Sequence, residues 1–215
     1  VVVYRQAIQL EPTSRAFSYM GTALYWLGRH EESLDAFQTC VGLGPKDPFA
    51  WGTLGSAYRW TPGHEALAPA ALDRAIALMR QHLERDPGRA EDWANQALWL
   101  VNRGLEHEAA AAIERAIALP SFDLNCMAIA GGVCHLLGRR GEALRWFREA
   151  VSLGYGVTRL EKNPALEGLR DDPEFSRILG GARLSPEGAY RIPSGNGGES
   201  RPPDIAPSGS VRFLA

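Results

Sequence analysis

The chain has 215 residues, 45% of them hydrophobic, which is enough to build a substantial buried core. Its formal net charge is −2, so its composition gives no general attraction to nucleic acid or to an anionic membrane surface. The sequence holds no apolar run of about 18 residues and no basic-then-apolar leader, so it predicts neither a transmembrane helix nor a signal segment. Its three cysteines, Cys40, Cys126 and Cys134, form no CxxC pair, and we expect buried, reduced thiols in a cytoplasmic protein.

Residues 1–12 have the pattern of a single helix that packs on one side. Tyr4 and Ala7 share a helical face, and Pro12 ends the helix. The segment matches the second half of the helix pairs described below, and such a helix needs a partner to cover its apolar side. Because the chain also starts at Val1 rather than at a methionine, we expect further sequence upstream of it.

The pattern of a helix pair occurs four times, in residues 14–47, 48–89, 90–123 and 124–157. In the second copy, Trp51, Leu54 and Tyr58 share one helical face beside Gly55. A glycine at this position allows a neighbouring helix to approach to about 8–10 Å. The small residue recurs at positions 21, 55, 97 and 131, at spacings of 34, 42 and 34 residues. This period predicts helical repeats that stack into an array.

The second copy is longer than the others, and its extra residues lie around Thr61-Pro62-Gly63-His64. Pro62-Gly63 is a turn signal, so we expect a longer loop within residues 60–72 and an extended second helix over about 70–85. Such an insertion either carries function on one face of the array or is loop growth without a role.

Residues 158–179 depart from the repeat pattern. Asn163-Pro164 and Asp172-Pro173 each place a capping residue before a proline suited to the first helical position. They predict two short helices, over about 164–169 and 173–179. Apolar residues on these helices would cover the exposed face of the last pair, because terminal units of a stacked array must be atypical.

Residues 180–215 are rich in Gly, Pro and Ser. They lack apolar periodicity and predict a disordered tail. Within it, Val211–Leu214 is either a short docking peptide or solvated chain.

No group of residues in the sequence indicates catalysis. The five histidines are scattered without an HExxH pair, and neither a glycine-rich phosphate loop nor a GxSxG motif is present. Cys134 and His135 are adjacent, but neighbours on a helix point about 100° apart, which argues against a metal site there. We therefore predict a chain that is not an enzyme, with no catalytic residue, no cofactor and no metal.

Over residues 1–157 the chain resembles the tetratricopeptide-repeat (TPR) family, whose first helices carry the Trp-x2-Leu-Gly-x2-Tyr signature found at residues 51–58. The resemblance implies an all-α fold, a right-handed α-solenoid of about four and a half helix pairs whose first helices line a concave groove. The segment from Asn163 to Phe175 resembles the terminal cap of many bacterial TPR arrays, which implies a helical C-terminal cap over residues 158–179. Those arrays are often fused behind a serine/threonine kinase, an adenylate cyclase or a DNA-binding regulator.

In the TPR family, ligand contacts come mainly from five set positions of each first helix. Carried over to this sequence, those positions predict a peptide-binding groove formed by Arg15, Ser18, Thr22, Tyr25, Trp26, Ser56, Arg59, Trp60 and Asn102. Trp26 and Trp60 share one position outside the packing signature, so they either face the groove as binding hot spots or pack on neighbouring helices. Ser18 and Thr22 stand where chaperone-binding members have a lysine and an asparagine, which argues against recognition of a chaperone C-terminus.

The repeat pattern and the lack of a catalytic motif predict a non-catalytic scaffold for protein–protein interaction. Its partner would be a protein or peptide segment bound in the groove, and neither nucleic acid nor a membrane is expected as a partner. The alternative is the C-terminal regulatory region of a larger bacterial signalling protein, a kinase, a cyclase or a transcriptional regulator, whose catalytic or DNA-binding part lies upstream. The sequence indicates neither the identity of the partner nor the oligomeric state.

Overall fold

The computed structural model describes residues 1–184, and within that range the chain is helical and contains no strand. The all-α solenoid predicted from the sequence is confirmed. The α-helices of this range are α1 (Val2–Leu10), α2 (Ser14–Trp26), α3 (His30–Leu43), α4 (Pro48–Trp60), α5 (Ala68–Leu83), α6 (Ala90–Asn102), α7 (Glu106–Ile117), α8 (Leu124–Leu136), α9 (Arg140–Ser152), α10 (Val157–Glu161) and α11 (Pro173–Leu184). Two 3-10 helices lie at Glu65–Leu67 and Pro164–Leu169.

Helices α2 to α9 pack as four successive pairs, and polar side chains fix where several of the helices begin. Thr13 Oγ1 accepts a hydrogen bond from the N–H of Ala16 at 3.2 Å, and Asp47 Oδ1 accepts one from the N–H of Phe49 at 2.9 Å. These acceptors satisfy N–H groups that have no partner within the helix. Glycines with a left-handed backbone follow four of the helices, at Gly28, Gly104, Gly138 and Gly154.

A glycine in the middle of a first helix allows the second helix of the pair to pack closely. A Cβ atom at Gly21 would lie 2.6 Å from the Phe37 ring, and one at Gly131 would lie 2.5 Å from the Phe147 ring. A close-packed interior has no room for such an overlap, so both positions need glycine, as the sequence pattern predicts. Phe37 and Phe147 are fully buried in one continuous hydrophobic core.

The second pair departs from the predicted register. A Cβ atom at Gly55 would lie 2.7 Å from Leu72 Cγ, and Leu72 follows Gly55 by 17 residues. In the first and fourth pairs the packed phenylalanine follows its glycine by 16 residues. Alignment of the second copy with the first puts Met79 in this position, and that alignment is wrong, whereas the expected extended second helix is present as α5. Only one extra residue separates the packed positions, so most of the added length lies after Leu72, where α5 continues to Leu83.

The connection between α4 and α5 is folded against the array. The Thr61 hydroxyl donates to the carbonyl of Ala57 at 2.7 Å. The His64 ring stacks on Tyr58, with ring centroids 6.1 Å apart, and His64 Nε2 lies 3.2 Å from Glu31 Oε1 of α3. Thr61 and His64 therefore anchor a connection whose other residues, 62, 63 and 65–67, are exposed.

A tryptophan fills the space between two neighbouring first helices. Trp99 of α6 is buried, and a Cβ atom at Gly52 of α4 would lie 2.1 Å from its ring. Phe49 packs edge-on against Trp99, with ring centroids 5.8 Å apart. Helices α4 and α6 are therefore in close contact at Gly52, and the Trp99 ring fills the space between them.

The segment after α9 covers the end of the array. Phe175 of α11 is buried, and its ring centroid lies 5.6 Å from that of Phe147. Arg140 Nε donates to Asp172 Oδ2 at 2.6 Å, which joins α9 to the start of α11. An aromatic contact and an ion pair thus hold α11 on the last helix pair.

Helices begin at Pro164 and Pro173, the two prolines that the sequence places at helix starts. The first of these is a 3-10 helix, and the second is α11. Helix α11 runs to Leu184, so the prediction of a tail from residue 180 is wrong for its first five residues. The remainder of that tail, with Val211–Leu214, lies outside the described residues.

Helix α1 lies against α2 at the other end of the described chain. The Tyr4 and Tyr19 rings meet with centroids 6.1 Å apart. No residue of α1 is buried, and Leu10 is 89% exposed. Helix α1 is thus covered on one side only.

Candidate functional site

A cleft of about 640 Å³ lies between the first two helix pairs and the C-terminal segment. One wall comes from the end of α2, the turn after it and the end of α4, and the other comes from the last residue of α10 and the segment that follows it. The lining residues are Tyr25, Trp26, Leu27, Gly28, His30, Trp60, Glu161, Lys162, Pro164 and Arg170. We call this space the cap cleft.

Aromatic rings form the α2 side of the cap cleft. Trp26 is partly exposed and packs edge-on against Tyr25, with ring centroids 6.0 Å apart. Tyr25 is buried and also packs edge-on against His30, with centroids 4.9 Å apart. Burial raises the pKa of Tyr25, so its hydroxyl stays protonated at neutral pH. The contacts between these rings fix the orientation of this wall.

Trp60 at the end of α4 separates the cap cleft from a second cavity of about 250 Å³. The Arg59 guanidinium lies 5.3 Å from the centroid of the Trp60 ring, a cation–π distance. The same guanidinium donates from Nη1 to the carbonyl of Asn102 at 3.0 Å, which ties α4 to α6. Trp60 is partly exposed, and its Nε1 is buried without a hydrogen-bond partner among residues 1–184.

The C-terminal wall of the cap cleft carries charged side chains. Lys162 and Arg170 are exposed, and Glu161 lies beside them. The buried side chain of Asn163 accepts a hydrogen bond from the N–H of Ala165 at 3.0 Å, which fixes the backbone between the charged residues. The cleft therefore joins an aromatic wall to a charged wall built from a different part of the chain.

The structure divides the nine residues predicted for the groove into three sets. Tyr25, Trp26 and Trp60 line the cap cleft. Arg59 and Asn102 line the second cavity, together with Trp60. The remaining four line neither of these two cavities, and they are Arg15, Ser18, Thr22 and Ser56.

Two residues of that last set are buried. Thr22 is 6% exposed, and its hydroxyl donates to the carbonyl of Ser18 at 2.9 Å, within α2. Ser56 is 1% exposed. Because Thr22 and Ser56 are almost fully enclosed, neither hydroxyl has surface to offer a ligand in this conformation.

The described residues show little that could support catalysis. Within residues 1–184 no group of three or more His, Cys, Asp or Glu side chains is placed to hold a metal ion. Cys40, Cys126 and Cys134 are free and buried, as expected from the sequence. Burial raises the pKa of Cys126 to about 12 and that of Cys134 to about 11, which keeps both thiols protonated at neutral pH. No helix of the described part is long and apolar enough to cross a bilayer.

No protein-family model and no curated protein matches the chain. Among solved structures it is similar to TTC0263, a thermophilic TPR protein of Thermus thermophilus, with a TM-score of 0.52 and 18% identity over 86% of this chain and 89% of that one. It also matches MamA at a TM-score of 0.38 and 22% identity, over 69% of this chain and 83% of MamA. YrrB, a TPR protein with an unusual peptide-binding site, matches at a TM-score of 0.40 and 15% identity, over 83% of this chain and 90% of YrrB. The likeness to TTC0263 shows a TPR-like fold.

The sequence pattern missed one whole wall of the cap cleft. It places Lys162, Pro164 and Arg170 in a terminal cap and gives no sign that they lie near Trp26. Their approach depends on the curvature of the array, which is the sum of small rotations between successive repeats. No local sequence motif indicates this total rotation, so the sequence does not predict which residues meet across the array.

Proposed function

We propose that this chain is a non-catalytic scaffold that binds a peptide or protein segment in the cap cleft. The observation that carries the proposal is the position of Trp26 and Trp60, which are both partly exposed and line the same cleft from successive helix pairs. Tryptophan is enriched among the residues that dominate binding energy at interfaces. A concave space with aromatic walls and a few polar groups is the usual form of a binding site.

The size of the cleft suits an extended segment. Its volume of about 640 Å³ holds a few side chains and not a folded domain. The occupant in this proposal is therefore a short stretch of a partner protein, with one apolar side chain placed between the two tryptophans.

The proposal places this binding in the cytoplasm and excludes turnover of a substrate. The protonated, buried thiols support both parts, because a protonated thiol is a poor nucleophile and three unpaired cysteines suit a reducing compartment. Neither nucleic acid nor a membrane is part of it, in keeping with the net charge of −2.

Selection from a random dodecapeptide phage library tests the proposal. The full chain would be used beside the double variant W26A/W60A, with W51A/W93A as the matched control. Trp51 and Trp93 are also partly exposed, but neither lines the cap cleft. We expect peptides that bind the wild type and the control but lose about 2 kcal/mol or more of binding free energy with W26A/W60A.

Circular dichroism must first show that all three proteins are folded under the conditions of the selection, because W51A/W93A is expected to be the least stable of them. Peptides that bind W26A/W60A as tightly as the wild type would contradict the proposal. So would a selection in which no sequence is enriched.

A further inference from the structure

The lining of the cap cleft has a charge opposite in sign to that of the whole chain. Lys162 and Arg170 contribute two cations and Glu161 contributes one carboxylate, whereas the chain carries a formal net charge of −2. The excess of cations is therefore a local property of this cleft.

These two cations are less engaged than Arg29 and Arg103 of the repeats. Arg29 bonds Glu32 through two nitrogens, and Arg103 bonds Asp73 at 2.7 Å and 3.1 Å. By contrast, the structure records no ion pair for Lys162 among residues 1–184.

The contact of Arg170 is weak. Within residues 1–184 it has one ion pair, to Glu167 at 3.9 Å, and the two side chains are 48% and 79% exposed. A long, exposed ion pair contributes little and is readily exchanged for a better partner. Both cations are thus available to a ligand that enters the cleft.

The aromatic and cationic walls face the same space from opposite ends of the array. Trp26 and Trp60 close one side, and Lys162 and Arg170 stand on the other. A ligand that fills the cleft meets both walls at once. Its apolar group would lie against the indoles, and its negative groups would lie against the ammonium and the guanidinium.

From these positions we infer that the cap cleft takes an acidic peptide segment, in which Asp or Glu side chains flank an aromatic or aliphatic residue. The inference rests on the proposed function and adds the chemical class of the partner. The carboxylates bind Lys162 and Arg170, and the apolar side chain lies between Trp26 and Trp60. Such a segment bridges the start of the array and its terminal segment.

The peptide selection described above gives the first readout. The enriched sequences are expected to hold more Asp and Glu than the input library, next to an aromatic or aliphatic residue. Enriched sequences that depend on Trp26 and Trp60 but are neutral or basic would overturn this inference and leave the proposed function intact. Loss of the dependence on the two tryptophans would instead overturn the proposed function.

The second readout is the Kd of the most enriched peptide, labelled with fluorescein and measured by anisotropy. The full chain would be compared with K162E/R170E and with K46E, which reverses the only other lysine of the chain, an exposed residue outside the cleft. We expect K162E/R170E to weaken binding about tenfold or more, because it sets like charges face to face. K46E is expected to change the Kd by less than about twofold, and rising salt should weaken wild-type binding.

K162Q/R170Q removes the two charges without reversing them, and it is expected to lie between the wild type and K162E/R170E. Equal Kd values for K162E/R170E and K46E would overturn the inference. Displacement of the peptide by an oligo-dT strand would overturn it too, since the site would then recognise nucleic acid.

Discussion

Two pairs of tryptophans lie in the first helices, Trp51 with Trp93 and Trp26 with Trp60, and all four side chains are partly exposed. In the first pair, each Nε1 donates to the carbonyl of a proline six residues earlier, at 3.0 and 2.9 Å. In the second pair, both rings line the cap cleft, and Trp60 Nε1 has no partner among residues 1–184. The two pairs are therefore both partly exposed, but Trp51 and Trp93 bond a proline carbonyl whereas Trp60 Nε1 does not bond any described residue.

The difference teaches how one residue type takes two roles in one array. A signature tryptophan bonds the carbonyl of a proline at the end of the preceding repeat, so it stabilises the packing of one repeat on the next. A cleft tryptophan is partly exposed and lines a space between parts of the chain that are distant in sequence. Substitution of Trp51 or Trp93 should therefore lower mainly the stability of the fold, and substitution of Trp26 or Trp60 should lower mainly the affinity for the peptide.

The largest expected effect on stability is that of Trp93→Ala. It removes a hydrogen bond and the contact with Arg115, whose guanidinium lies 5.1 Å from the ring centroid. We expect a loss of about 3 kcal/mol in the free energy of unfolding, measured by urea denaturation of the full chain. Trp26→Ala should cost only about 1 kcal/mol, since its side chain stands at the cleft surface. Equal losses for the two variants would make Trp26 a packing residue and remove the contrast.

Glycines allow the same contrast between packed and open positions. Gly131→Ala places a Cβ atom 2.5 Å from the Phe147 ring, and we expect it to lower the free energy of unfolding by about 1–3 kcal/mol. The matched control is Gly42→Ala in α3, where a Cβ atom meets nothing within 4 Å. That control should raise stability by about 0.5 kcal/mol through the lower backbone entropy of alanine. Urea midpoints that fall for both variants would mean that helix packing is not the cause.

Acid should loosen the terminal segment that forms the charged wall. The hydrogen bond from Arg140, with the N–H groups of Glu174 and Phe175, lowers the pKa of Asp172 to about 2. A lowered pKa means that the carboxylate stabilises the fold above its unfolded pKa near 4, and that this contribution is lost as pH falls through about 2. Asp172→Asn keeps a capping side chain but removes the charge, so it should lower the urea midpoint at neutral pH. The gap to the wild type should close toward pH 2, and a gap of constant size would contradict the assignment.

The smallest expected effect belongs to a residue of the predicted groove. Ser56 is 1% exposed, and its Oγ has no hydrogen-bond partner in the described part of the chain. Removal of an unsatisfied buried hydroxyl is neutral or favourable, so Ser56→Ala should raise the free energy of unfolding by about 1 kcal/mol or less. Peptide affinity should not change, because Ser56 lines neither cavity. A loss of peptide affinity in Ser56→Ala would show that Ser56 contributes to the binding surface.

Much of the fold could be predicted because the helix starts and the packing within each helix pair depend on residues that are near in sequence. The 34-residue spacing of small residues places Gly21 and Gly131 opposite Phe37 and Phe147, and the structure shows those contacts. In the second pair, the pattern alone does not distinguish Leu72 from Met79 as the residue packed on Gly55. The two are seven residues apart, which is almost two helical turns, so they lie on the same face of the helix. The pattern alone therefore could not show whether the extra length precedes or follows Leu72.

The candidate site could be predicted only in part. The 34-residue repeat spacing brings Trp26 and Trp60 to equivalent positions, and both line the cap cleft. The binding positions implied by the TPR resemblance also include Thr22 and Ser56, whose exposure depends on how closely neighbouring helices pack. The positions of Lys162 and Arg170 follow from the curvature of the whole array, which is a long-range property.

The most direct test of the cap cleft is a titration of the full, 15N-labelled chain with the selected peptide, followed by NMR of the six tryptophan indole N–H signals. The signals of Trp26 and Trp60 should shift as peptide is added. Those of Trp51 and Trp93 should stay in place, because their indole N–H groups remain bonded to proline carbonyls. Shifts at Trp51 and Trp93 with none at Trp26 and Trp60 would contradict the assignment of the cap cleft as the binding site.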